Sequence, residues 1–427
     1  MTELEVTSST PSQPGPVRTV SRQRARDRRG VDPVGAGRGD VRSASRAGGG
    51  KRIWPFAVAS LLCAGALVAL GWVGYRASLD IRGGASLGAA TDPTKPGYEA
   101  RVKPTPTHLV VTVSEDGEVR ELQLLVGGAK GGGSVVFVPG LMVLNVDGKP
   151  YNLAELAAAQ GIPKVVEVVQ STLGVAVSEA VEIGPEELTR LFTSAGPLEI
   201  DNPEALRSGD QVVFPAGKIT LQPSEIPRYL SMLNEGEPVV NRPFRAEQVW
   251  EAWMAKLASA GAPTLPALPD VLGDGTVDLS ALTKALASGT VGFQQLPLER
   301  LVVPDMGGFA VYQPNGDAIA RLMASVVPFP GSAFPGQRAR VRLLNGTTDK
   351  AAVLRAAQPI AAAGGQIVVM GNAESFDIAK TRVEYNVEAQ KSAAESIAVG
   401  LGVKASFAGT ESDAVDVTVT LGADFAG

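Results

Sequence analysis

The chain has 427 residues, with 39 Lys and Arg against 44 Asp and Glu, one cysteine and one histidine. Cys63 alone can form no intrachain disulfide, and any Ser-His-Asp triad or His-rich metal site would have to use His108. Residues 1–52 hold 11 basic and 5 acidic residues, leaving 28 basic and 39 acidic for the rest, and that acidic body argues against nucleic acid as a partner.

Residues 1–52 are rich in Ser, Pro, Gly and Arg, too poor in apolar side chains to fold, and read as a disordered basic tail. Ile53 to Tyr75 follows without a charged side chain, bracketed by Trp54 and Phe56 at one end and Trp72 and Tyr75 at the other. Its 23 residues are long enough to cross a hydrocarbon layer of ~30 Å, and amphipathic rings favour the two interfaces. A cleaved signal peptide is shorter and lies at the very start of a chain, and a buried core helix is the other reading. The stretch is taken as a single transmembrane helix. Basic flanks stay cytoplasmic, so the tail is expected inside, against anionic lipid of the cytoplasmic membrane, and the bulk outside. Residues 76–107, rich in Gly and Pro, read as a linker.

From His108 the pattern is β: HLVVTV, a turn at EDGE, VRELQLLV, and SVVFV ending at Pro139. His108 opens an apolar strand and reads as structural. The GGAKGGG loop lacks the GK[ST] ending of a phosphate cradle and reads as a hairpin connection. Helical spacing predicts helices over Leu153–Gln160, Pro163–Leu173, Pro185–Phe192, Pro223–Leu233 and Phe244–Leu257, with a strand at Glu179–Ile183 and a β-rich excursion near residues 201–221. Glu186 and Glu187 suit a helix start better than an acid/base pair, and Trp250 and Trp253 read as a core stripe. Residues 261–337 form an extension and linker. Asp270, Asp274 and Asp278 there do not match a calcium loop, and Asp278 suits the cap of a helix from Leu279.

Residues 108–260 resemble the catalytic domain of the LytR-CpsA-Psr family in the hairpin, the strand ending in Pro139, the stretch QSTLGVAVSEAVEIGPEELTRLF and the return through LRSGDQVVFPAGKITLQPSEIPRYL. The resemblance implies an α/β/α sandwich enclosing a polyprenyl tail, with Val135, Phe137 and Val166 toward an apolar interior. It also implies transfer of a glycan polymer from a polyprenyl pyrophosphate to the cell wall with Mg2+ or Mn2+. The family's charged positions are replaced here by Gly140, Leu141, Ser231, Leu233 and Val239, and Arg242 and Arg245 remain as phosphate-binding candidates. With glycine and leucine in place of arginine and carboxylate, no catalytic residue and no metal ligand is assigned, and a metal is expected only if transfer is retained.

Residues 338–427 resemble the LytR C-terminal domain in LLNGT at 343–347, Gly371-Asn372, Thr381 before the strand with Tyr385, and DVTVTLGADF at 416–425. Its strands and helices predict a small βαββαβ domain. The expected protein is an α/β envelope protein of two domains after one membrane helix. Its expected role is an accessory or binding protein for cell-wall glycan or its polyprenyl-linked precursor, with an active phosphotransferase as the alternative. DNA-binding regulation is the third reading, and no helix-turn-helix pattern supports it.

Overall fold

The computed structural model describes residues 91–425 apart from 261–264, 269, 274, 276, 304–308 and 410–413. The basic tail, the apolar stretch 53–75 with Cys63, the first part of the linker and Asp274 lie outside the described residues. Among the described residues no helix is long and apolar enough to cross a membrane.

In chain order, β1 (Glu99–Arg101), β2 (Thr107–Val113), β3 (Val119–Gly127) and β4 (Gly133–Pro139) come first, then the hairpin β5 (Val143–Val146) and β6 (Lys149–Asn152). Helices α1 (Leu153–Gln160) and α2 (Ile162–Leu173), strand β7 (Glu179–Ile183) and helix α3 (Pro185–Thr193) follow. The β excursion consists of β8 (Leu198–Asn202), β9 (Leu206–Ser208), β10 (Gln211–Phe214) and β11 (Gly217–Leu221). Helices α4 (Ile226–Ser231) and α5 (Arg242–Ala260), β12 (Asp270–Leu272), α6 (Leu279–Ala287) and β13 (Val291–Gln295) complete the central layer. A hairpin of β14 (Leu298–Val303) and β15 (Phe309–Pro314) precedes α7 (Gly316–Val326).

The central sheet runs in the order β12-β7-β2-β3-β4-β13. Its middle is the meander β2-β3-β4, while β7 joins β2 and β13 joins β4 in parallel. Residues 261–337, expected as an extension, thus supply both edge strands. Adjacent side chains of a strand point to opposite faces. Accordingly Val135 and Phe137 pack with Trp250 and Trp253 of α5 and with α3 and α6, whereas Val136 and Val138 pack with Leu156 of α1, Val166 of α2 and Met323 of α7. The result is an α/β/α sandwich with both sheet faces covered, which is why β4 reads as an unbroken apolar run.

Local chemistry sets the helix ends. Asn152 and Glu155 form a reciprocal capping box on α1, and Asp278 caps α6 by accepting a 2.8 Å hydrogen bond from the Ala281 N–H, as its position predicts. Helix α4 is shorter than expected. It follows one 3-10 turn at Pro223–Glu225 and stops at Ser231, where Met232 turns to an extended conformation with ψ 145°.

The C-terminal domain holds β16 (Ala339–Asn345), α8 (Ala352–Ala362), β17 (Gly365–Asn372), β18 (Arg382–Tyr385), α9 (Lys391–Gly400), β19 (Ala405–Phe407) and β20 (Val417–Leu421). The expected βαββαβ order is present with one extra strand, β19, and the sheet order is β1-β17-β16-β20-β18-β19. Strand β1 comes from the stretch read as linker, so this sheet borrows an edge from residues that precede the first domain. Arg338 pins the join: its Nε donates to the Gly174 carbonyl at 2.6 Å, and its Nη1 to the carbonyls of Ala361 and Gly365 at 2.9 Å. Burial pushes that guanidinium down to about 10.

Candidate functional site

A cleft of about 660 Å³ opens where the end of β2 and the start of β3 meet α3 and α4. Apolar walls come from Val113, Leu188, Leu230 and Trp250, and polar groups from Arg120, Glu121, Gln123 and Arg228. That volume lies within the ~300–1,000 Å³ of ordinary ligand pockets.

Its polar floor is built by strand register. Glu121 lies opposite Thr112 on one side and Pro139 on the other, and Gln123 shares its face two residues on. The Thr112 hydroxyl donates to Gln123 Oε1 at 3.2 Å, and Gln123 Nε2 stands 3.5 Å from Glu121 Oε2. Burial pushes the Glu121 carboxyl up to about 8, against the downward pull of Arg242 and Arg245. At neutral pH the group is therefore mostly protonated, a carboxylic acid held beside cations.

Arg242 opens α5 and donates from Nη2 to the Ser231 carbonyl at 3.1 Å. Burial pushes its guanidinium down, and Arg120 acts in the same direction while Glu121 opposes it. Arg120 pairs with Glu118 at 2.9 Å. The Nε atoms of Arg120 and Arg242 are buried without an acceptor among the described residues. Two cations close enough to repel each other, one lining the cleft and one bonded to its wall at Ser231, favour an anion nearby.

The expected site residues part company here. Arg245 is 4% exposed and donates to Glu237 Oε1 at 2.7 Å, lining a separate pocket on the other side of α5. Ser231 lines the cleft and ends α4, whereas Leu233 lies beyond the helix. Gly140 follows the end of β4 and donates to the Arg120 carbonyl. A Cβ at Gly140 would stand 2.5 Å from that same oxygen, so an arginine there would require the backbone to move. Leu141 offers no metal donor, and among the described residues no group of three or more His, Cys, Asp or Glu is placed to hold a metal ion.

Other expectations find their places. His108 is fully buried opposite Glu179 in the parallel β2–β7 pair, consistent with a structural histidine. Glu186 and Glu187 occupy the first turn of α3, with Glu187 paired to Arg190 at 2.7 Å. Val135 and Phe137 pack on one sheet face and Val166 on the other, so these three enclose no common cavity. The space they were expected to line is filled by Phe192, Trp250 and Trp253, whose rings meet edge to face at 5.2–6.0 Å. Glu121 and Arg120 were missed in the sequence. The signal for Glu121 is a carboxylate and an amide, Gln123, at alternate positions of a strand buried on both faces, which polar side chains rarely occupy without a task.

Residues 338–425 match the family model described as LytR cell envelope-related transcriptional attenuator, so the chain carries a LytR C-terminal domain there. Among curated proteins, none matches the chain. Three similar solved structures are TagV of B. subtilis, the LytR-Csp2A-Psr enzyme from Actinomyces oris, and the LytR-CPS2A-psr family protein YwtF (TagT) with bound octaprenyl pyrophosphate lipid. TagV is 14% identical over 53% of this chain and 96% of its own, with a TM-score of 0.43. The A. oris enzyme is 17% identical over 55% and 97%, with a TM-score of 0.42. YwtF is 16% identical over 56% and 92%, with a TM-score of 0.40.

Proposed function

We propose that this chain is a membrane-anchored, extracytoplasmic envelope protein of the LytR-CpsA-Psr type. In this reading it binds cell-wall glycan or a polyprenyl-linked precursor without transferring it. The apolar stretch 53–75 and its basic flank support the anchor and its orientation. The C-terminal match supports an envelope role.

One observation carries the binding half. Arg120 and Arg228 line a cleft that also has apolar walls, and Arg242, which donates to the carbonyl of the cleft residue Ser231, adds a further guanidinium beside it, a grouping suited to a phosphate joined to a hydrocarbon. The loss of transfer rests on Gly140 and Leu141, where backbone crowding and an alkyl side chain replace charge. The buried Glu121 favours a second reading, an active phosphotransferase with an altered site, because a carboxyl near 8 is tuned for proton transfer at neutral pH.

Titrating the full chain in detergent micelles with geranylgeranyl pyrophosphate tests the binding half. Saturable binding is expected, weakened at least about tenfold by Arg242→Ala, since a hydrogen bond to a charged group contributes about 1.5–3 kcal/mol. Binding unaffected by both Arg242→Ala and Arg120→Ala would remove this cleft from the account.

A further inference from the structure

The arginine cleft gives no role to Gly371-Asn372, where β17 meets β1. Strand β17 pairs with β16 on one edge, and its other edge receives β1 with Glu99 opposite Gly371. A Cβ at Gly371 would overlap the Tyr98 carbonyl oxygen, so only glycine lets the incoming backbone lie this close. Asn372 holds the same segment with three donors. Its N–H donates to the Tyr98 carbonyl at 2.7 Å, and its Nδ2 to the carbonyls of Pro93 and Lys95 at 2.9 and 2.7 Å. The Gly97 N–H donates to the Ala373 carbonyl at 2.9 Å, and the Val102 N–H to the Val368 carbonyl at 3.0 Å. Arg342 of β16 adds an ion pair to Glu99 at 3.8 Å.

Most of these bonds read main chain, which is how a sheet edge binds an extended segment, and an uncovered β17 would be an open template for foreign strands. We infer that β17 with Gly371-Asn372 is a strand receptor whose ligand is this chain's own residues 92–102. The C-terminal domain thereby clamps the segment that leads to the apolar stretch 53–75. The inference rests on the anchor reading of that stretch and uses neither the cleft nor a glycan. With the clamp closed, residues 76–91 separate the anchor from the body, and 16 residues span at most ~60 Å. With it open, the separation extends over residues 76–104, because Thr105 stays bonded to Phe329. Those 29 residues span up to ~100 Å. The clamp sets how far from the membrane the body works.

Two readouts on the full chain test this. In detergent micelles, trypsin cleavage after Arg101, followed by mass spectrometry, reports the docking of β1, since a paired strand must open before it is cut. Asn372→Ala and Gly371→Val should each speed that cleavage at least about tenfold, with no new cleavage at Arg355 or Arg382 of the same domain. Should Gly371→Val expose those two arginines by unfolding the domain, Asn372→Ala, which adds no bulk to β17, decides the outcome. The second readout places a donor dye on the Cys63→Ser, Val399→Cys chain in phosphatidylglycerol vesicles that carry an acceptor dye on their headgroups. Energy transfer is expected with the clamp intact and should be lost when Asn372→Ala or Gly371→Val is added. Cleavage after Arg101 as fast in the wild type as in the variants would overturn the inference. Unchanged transfer in a chain that floats with the vesicles would overturn it too, and leaves the anchor standing. A chain that does not float contradicts the anchor itself and removes the clamp's role with it, even where Arg101 stays protected.

Discussion

Glu121→Gln is expected to abolish most of the pH dependence of stability between pH 4.5 and about 8. In the folded chain the carboxyl is raised from 4.5 to about 8 by burial. A raised pKa means that the folded state holds a proton the unfolded state releases. The contribution is therefore fully present below pH 4.5 and is lost as pH rises through 8. At about 1.4 kcal/mol per pH unit the whole shift amounts to roughly 5 kcal/mol, a large share of the ~5–15 kcal/mol that holds a domain together. The Gln variant keeps an uncharged group of similar shape at every pH. It should match the wild type near pH 4.5 and exceed it by several kcal/mol near pH 9. Urea midpoints at the two pH values measure this, and parallel curves for both proteins would show that Glu121 ionises freely in the fold.

Trp253→Ala is expected to cost about 3–5 kcal/mol, the usual range for a large aromatic removed from a core. The ring is fully buried and meets Trp250 and Phe192 edge to face at 5.2 Å each, and each such pair adds about 0.5–1.5 kcal/mol beyond the area it buries. Phe192 belongs to α3 and both tryptophans to α5, so one substitution loosens two helices from the sheet that supports the cleft. Trp253→Phe, which keeps a ring in place, should cost less than half as much. A chemical-denaturation loss below about 1 kcal/mol for the alanine variant would mean that this region is already loosely packed.

Much of this architecture was legible in the sequence because it is locally encoded. The β2-β3-β4 meander shows itself through β-branched runs and a glycine-rich connection. Helix α6 announces its start through Asp278, and Trp250 and Trp253 at three-residue spacing do form a core stripe. What escaped is what distant residues decide. The strand β13 is a short, mixed VGFQQ segment that pairs with β4 more than 150 residues earlier, and nothing within it specifies that partner. Strand β1 sits in a glycine- and proline-rich stretch and finds its place only on the edge of β17.

The candidate site was legible in part for the same reason. Gly140 and Leu141 were identifiable as positions that lack charge. The crowding of Gly140 against the Arg120 carbonyl depends on the β3–β4 register. Arg242 and Arg245, three residues apart, look like one cluster in sequence. In the fold Arg242 turns toward Ser231 and Arg245 toward Glu237. Glu121 passed unremarked within VRELQLLV, because its character comes from burial in the fold and from the nearby Arg242 and Arg245 of α5.

The central claim is that the cleft retains binding while the chemistry of transfer is lost. Its most direct test is a turnover assay combining the purified chain, a lipid-linked glycan, an acceptor wall fragment and magnesium or manganese. Removing one charge-stabilising donor commonly lowers a rate by ~10²–10³, and several positions are uncharged here. The account predicts no transfer above the protein-free blank, together with lipid pyrophosphate binding that Arg242→Ala weakens. Transfer that requires the protein and is abolished by Arg242→Ala or Glu121→Gln would contradict it and establish an active enzyme with a rebuilt site.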